Sequence, residues 1–177
     1  NTMSNSTALL TIFLLSAISI VSSSVFQATI IGDQTCRRNS DTMGVPLNTL
    51  TWGDDGNRFS VIKFRIFTNE GGVVPSGSTI DSATLTFTGE NDGEYRGNIY
   101  RSAVNWAENT VTYNNFGASP GADTDDFDGP SVAELPDTRR DRQLTVDVTS
   151  AVRAWNSGQN NYGFVIVPNG NRRGHSS

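Results

Sequence analysis

Hydrophobic and polar positions alternate along most of this chain in short runs, and Gly, Asn, Asp and Ser separate the runs, the pattern of strands joined by turns. Phe26 to Ile31 is the first such run. Thr49 to Trp52 follows as a short strand closed by the turn sequence Gly53-Asp54-Asp55-Gly56. In Ser60 to Phe67, the residues Ile62, Phe64 and Ile66 share one face and are expected in the core, while Val61, Lys63, Arg65 and Phe67 share the other. Thr79 to Thr88 alternates most cleanly, with Ala83, Leu85 and Phe87 facing in and Thr84, Thr86 and Thr88 facing out. Asp92-Gly93 reads as a hairpin turn into a strand over Gly97 to Val104, and Val111 to Tyr113 as another short strand. Gly117 to Asp141 is acidic and rich in Pro and Gly, hence a long surface loop. Arg142 to Val148 resumes the alternation, with Leu144, Val146 and Val148 inward. From Thr149 to Trp155 the period changes, since Val148, Val152 and Trp155 recur at helical spacing until Asn156, Ser157 and Gly158 end the helix. Tyr162 to Val167 is the last strand. These elements predict an all-β, jelly-roll-like antiparallel sandwich with one short helix plugging an end.

One run breaks the alternation. Leu9 to Val21 reads LLTIFLLSAISIV and is followed by Ser22, Ser23 and Ser24, small residues suited to signal-peptidase cleavage. The stretch is short for a membrane span, and no Lys or Arg precedes it. Residues 1–24 are therefore expected to form a secretory leader, with an uncleaved anchor or a core element of the domain as alternatives. Residues 25–177 then form one domain, of a size that supports a single substantial core.

Composition narrows the function classes. Apolar residues make up 36% and charged residues 18%, and the formal charge is -5 with a pI near 4.7, which excludes a basic nucleic-acid-binding face. Lys63 is the single lysine and the other cations are arginines, suited to bidentate contacts with carboxylates or sulfates. The lone Cys36 rules out an internal disulfide and is expected to be buried. It has no nearby histidine in sequence to activate it, since the one histidine is His175.

Several segments, taken in order, resemble a known family. They are Trp106-Ala107-Glu108-Asn109-Thr110-Val111-Thr112-Tyr113-Asn114-Asn115, then Val146-Asp147-Val148-Thr149 with Val152 and Trp155, then Asn161-Tyr162-Gly163-Phe164. Thr42-Met43-Gly44, Lys63-Phe64 and Ile80-Asp81-Ser82-Ala83-Thr84-Leu85 fit earlier in the chain. Together they resemble the DNRLRE family, jelly-roll-like modules related to carbohydrate-binding module family 96, over Phe26 to Ser177. The resemblance implies a non-catalytic carbohydrate-binding module with acidic, alginate-type polysaccharides as ligands. The family continues past this point into a final strand. Its absence here implies either a shortened reading frame or a strand supplied by another chain at an exposed sheet edge.

Candidate chemistry is sparse. Glu108 lacks a recognisable carboxylate partner in sequence and reads as a turn-fixing acceptor, and Asp147 as a helix cap. Trp106 and Trp155 read as core. Trp52, beside a polar turn, is a candidate sugar-stacking platform, with core packing as the alternative. Lys63, Arg65 and Arg101 are candidate contacts to an acidic polysaccharide, against a solvated face. Asp123, Asp125 and Asp128 are candidate calcium ligands, although the run DTDDFDG departs from the EF-hand pattern, and a solvated acidic loop is the simpler reading. No other cofactor is implied. The sequence thus predicts a secreted or cell-surface module, not an enzyme, that binds polysaccharide or an extracellular-matrix component or attaches a larger surface protein. The alternative is a structural subunit of a matrix or filament, self-associating by strand addition through an exposed sheet edge.

Overall fold

A computed structural model describes residues 4–14, 24–38, 50–52, 57–90, 92–93 and 96–169. The expected turn at Gly53 to Gly56, the Thr42-Met43-Gly44 segment, the serines Ser22 and Ser23, and His175 lie outside the described residues. Two antiparallel sheets form a sandwich with one short helix. The first contains β1 (Ser4–Leu14), β2 (Ser24–Gln27), β6 (Ile80–Gly89) and β9 (Gln143–Asp147) in the order β2-β1-β6-β9, and β4 (Leu50–Trp52) also pairs with β1. The second runs in the order β3 (Thr29–Arg37), β5 (Arg58–Arg65), β10 (Phe164–Pro168), β7 (Gly97–Arg101) and β8 (Ala133–Leu135). The expected first strand, Phe26 to Ile31, is two strands: the chain breaks at buried Ala28 and passes from one sheet to the other.

Period-2 patterning placed the core correctly. Ile62, Phe64 and Ile66 from β5 and its end meet Ala83, Leu85 and Phe87 from β6, and all six are buried in one cluster. The helix α1 (Thr149–Asn156) buries Ala151, Val152 and Trp155 in the same cluster, where the Trp155 ring lies 4.9 Å from that of Phe164. Its first turn is stitched to β6. The Ala83 N–H donates to Thr149 Oγ1 at 2.9 Å, and the Val148 N–H donates to the Ala83 carbonyl at 2.9 Å. Asp147 is not the N-cap, which is Val148, but stands one residue ahead of it and accepts the Thr149 N–H at 2.8 Å; hydrogen bonding to the Thr149 side chain and backbone holds its carboxyl below the usual carboxylate range.

Three expectations are corrected. Asp92-Gly93 turns no hairpin, because β6 and β7 lie in different sheets. Instead Asp92 accepts the Arg140 N–H at 3.1 Å and Gly93 donates to the Thr138 carbonyl at 3.1 Å, pinning the loop before β9. Val111 to Tyr113 is not a strand. Most important, the outer face of the second sheet is not solvated: the segment from Ala103 to Phe127 lies over it, so that Phe59 and Val61 of β5 and Val165 of β10 are buried against Trp106, Val111 and Phe116. Cys36 joins that second cluster, where burial pushes its thiol up to about 12. The first part of the apolar N-terminal run, in turn, is an inner strand, β1, whose Leu10 is fully buried in the main core.

Candidate functional site

The cover over the second sheet leaves open hollows along its margins. The one that collects the most diverse chemistry, about 380 Å³ in volume, lies between the β3–β5 edge and the start of the cover, lined by Ile31, Gly32, Lys63, Trp106, Glu108 and Asn109. Strand register builds its floor. Gly32 pairs with Lys63 across β3 and β5, and a side chain at Gly32 would meet the Trp106 ring, since a Cβ there would stand 3.2 Å from it. Trp106 is anchored from the far side by its indole N–H, which donates to the Tyr162 carbonyl at 2.8 Å. This bond joins the two most distinctive motifs in the sequence, Trp106 to Asn115 and Asn161 to Phe164. Gly163 completes the junction in a left-handed conformation (φ 83°) so close to β5 that a Cβ would stand 2.3 Å from the Ile62 carbonyl oxygen.

The polar groups of the cleft have distinct jobs. Glu108 Oε1 accepts the Asp33 N–H at 3.1 Å, and the Gln34 side chain donates to the Glu108 carbonyl at 3.4 Å. Among the described residues β3 is an edge strand, so Glu108 takes up a backbone donor on the side of β3 away from β5. Asp33 itself is buried, and its carboxyl is held above the usual range by that burial, then by the charge of Glu108 and a hydrogen bond to it. Lys63 Nζ stands 5.5 Å from the centre of the Tyr162 ring and donates to Asn105 Oδ1 at 3.4 Å. Burial lowers its pKa, with the charge of Glu70 acting the other way. An ammonium over an aromatic face, neighbouring amides and the exposed apolar Ile31 at the lip are together suited to a polar ligand carrying negative charge.

The structure redistributes the residues that the sequence nominated. Trp52 is fully buried, edge-on to Phe87 with ring centres 6.2 Å apart, because β4 closes the sandwich interior; it has no face to offer a sugar. Lys63 and Arg65 follow Phe59 and Val61 on the covered face of β5, whereas Arg101 follows Ile99 on the face turned toward the main core. The basic trio therefore does not converge. Arg101 pairs with Asp128 at 3.2 Å and donates to the Gln159 side chain. Asp123 caps a 3-10 turn, Thr124–Asp126, by accepting the Asp125 N–H at 3.0 Å. The three aspartates nominated for calcium are thus not gathered round a point, and no group of three or more His, Cys, Asp or Glu among the described residues could hold a metal ion. Sequence reasoning missed Asp33, Asn105 and Tyr162. Its available signal was Glu108, whose motif position fits its reading as a fixing acceptor.

A sandwich whose one face carries a loop cover with open, polar-lined clefts is a scaffold that proteins of many functions share. The model of carbohydrate-binding module family 96 matches residues 39–176, and the chain belongs to that family. Modules of this family are typically non-catalytic and are usually extracellular. No curated protein matches the chain.

Proposed function

We propose that this module is exported and holds a larger protein to an acidic polysaccharide, with the Lys63 cleft as the binding site. Family membership supports carbohydrate as the ligand class, and the observation that supports an acidic one is Lys63, poised over Tyr162 at the lip of the cleft. A partly desolvated ammonium forms charge-assisted hydrogen bonds with a uronate carboxylate or sulfate, each contributing about 1.5–3 kcal/mol. Asn109 in the cleft and Asn105 in the adjoining hollow offer amides to sugar hydroxyls, and Ile31 offers apolar surface to the C–H face of a ring. Arg65, exposed two residues along the same strand, extends the positive character toward a neighbouring sugar unit.

Calorimetric titration with a polyuronate and, in parallel, a neutral glucan tests the reading. The polyuronate binds and binding weakens with added salt. Lys63→Met reduces affinity by about tenfold or more, the equivalent of one such hydrogen bond, with the folded signal unchanged. Equal affinity for polyuronate in wild type and Lys63→Met, or preference for the neutral glucan, would refute it.

A further inference from the structure

We propose that the polysaccharide held at the Lys63 cleft is one in which an acidic sugar unit is linked to a neutral one, and that a second hollow beside the cleft takes the neutral unit. The inference rests on the acidic-polysaccharide reading and sharpens it. The second hollow, about 300 Å³ in volume, shares Trp106 and Ala107 with the Lys63 cleft, so the two adjoin along the cover. Ala107, exposed on the shared wall, carries only a methyl group. Asn105 ties the two together: its Oδ1 accepts from Lys63 Nζ at 3.4 Å, and the residue itself lines the second hollow.

The hollows differ in charge. Besides Trp106 and Ala107, the second is lined by Val104, Asn105, Thr110, Val111, Asn115 and Phe116, none of them ionisable. Buried Val111 and Phe116 and half-buried Val104 supply apolar surface, while Asn105, Thr110 and Asn115 are exposed polar groups. The turn that carries them is bonded to itself. The Thr110 and Val111 N–H groups both donate to the Ala107 carbonyl, at 3.0 and 2.9 Å. Asn115 accepts the Thr112 N–H at 2.7 Å and donates to the Thr110 carbonyl at 2.9 Å. A wall already held in place loses little freedom when a ligand binds. Apolar surface edged by amides and a hydroxyl matches a neutral pyranose, which has C–H faces and a hydroxyl rim. A carboxylate in the same place meets no cation among these residues and gives up water without a partner. In the first cleft the demand is reversed, because the Lys63 ammonium makes its stronger, charge-assisted bonds to an anion. Neighbouring units of one chain thus meet different chemistry, and the missing cation discriminates as much as the one present.

Calorimetry on the full chain compares three oligosaccharides of equal length: alternating glucuronate and glucose, glucuronate throughout, and glucose throughout. The alternating oligomer is expected to bind about fivefold more tightly than the all-glucuronate one, the equivalent of one neutral hydrogen bond, although it carries fewer charges. Thr110 is exposed, and Thr110→Lys, which places an ammonium at the second hollow, is expected to reverse that order. Equal or tighter binding of the all-glucuronate oligomer by the wild type, with Lys63→Met weakening it, overturns the neutral site and leaves the acidic-polysaccharide reading standing. An order unchanged in Thr110→Lys overturns the placement of the neutral unit in this hollow. Tightest binding of the glucose oligomer refutes the acidic reading itself, and this proposal with it.

Discussion

Asp33 and Glu108 set opposite requirements on a few atoms. Glu108 must be an acceptor to hold the outward N–H of Asp33, while the Asp33 carboxyl, buried beside it, is held toward the protonated state. A carboxyl whose pKa is raised by folding contributes stability that is fully present below its unfolded value of 3.8 and is lost as pH rises through the folded value. Asp33→Asn keeps a donor toward Glu108 and cannot ionise. Melting temperatures measured from pH 3.5 to 8 are therefore expected to diverge, with the variant gaining on wild type as pH rises and the two converging near the acid end. A constant offset across the range would show that ionisation of Asp33 carries no weight. Asp147 runs the other way, since its carboxyl is held low by Thr149 and its contribution disappears as pH falls.

At the scale of elements, the start of α1 depends on one hydroxyl. Thr149 Oγ1 takes the buried Ala83 N–H of β6, so Thr149→Val leaves that donor unsatisfied in a closed site, a cost of about 1–3 kcal/mol. Urea denaturation is expected to show a lower midpoint for Thr149→Val and near-native behaviour for Thr149→Ser; equal midpoints would mean that the helix is held by its apolar face alone. The alternation in β5, β6 and β9 and the helical spacing of Val148, Val152 and Trp155 made these elements legible in the sequence, because each buries a regular stripe. The cover from Ala103 to Phe127 was not legible in that way. It buries Trp106, Val111, Phe116 and partly Phe127 at irregular spacings, with no repeating period to detect. A trace of it was present on the partner surface, where Val61 and Val165 stand apolar on faces that solvent would have required to be polar. The cleft was half legible: Lys63 was nominated, but Arg101 was grouped with it because a sequence gives no sheet order, and Trp52 beside a turn was indistinguishable from a surface indole.

For the whole molecule, the second sheet is the shared wall of two apolar clusters of unequal size, the sandwich core and the smaller cluster beneath the cover. Cys36 reports on the smaller one. Its thiol is buried and held near 12, so the reactive thiolate is scarce and shielded in the folded protein. Labelling by a thiol reagent at pH 8 is expected to be slow and to accelerate in denaturant at or below the concentration that unfolds the sandwich, according to whether the cover opens first. Rapid labelling of the native protein would contradict this packing.

The Trp106–Tyr162 bond, with Gly163 tucked against β5, fastens the cover to the sandwich beside the bonds that join Glu108 to Asp33 and Lys63 to Asn105. The scaffold asks of that segment an indole in one position, an acceptor at Glu108 and a few apolar side chains over Phe59, Val61 and Val165, while Ala107 and Asn109 line the cleft. In engineering terms the segment is an exchangeable faceplate. Variation along its rim, at Ala107 and Asn109, changes the lining of the cleft without the sandwich having to be redesigned.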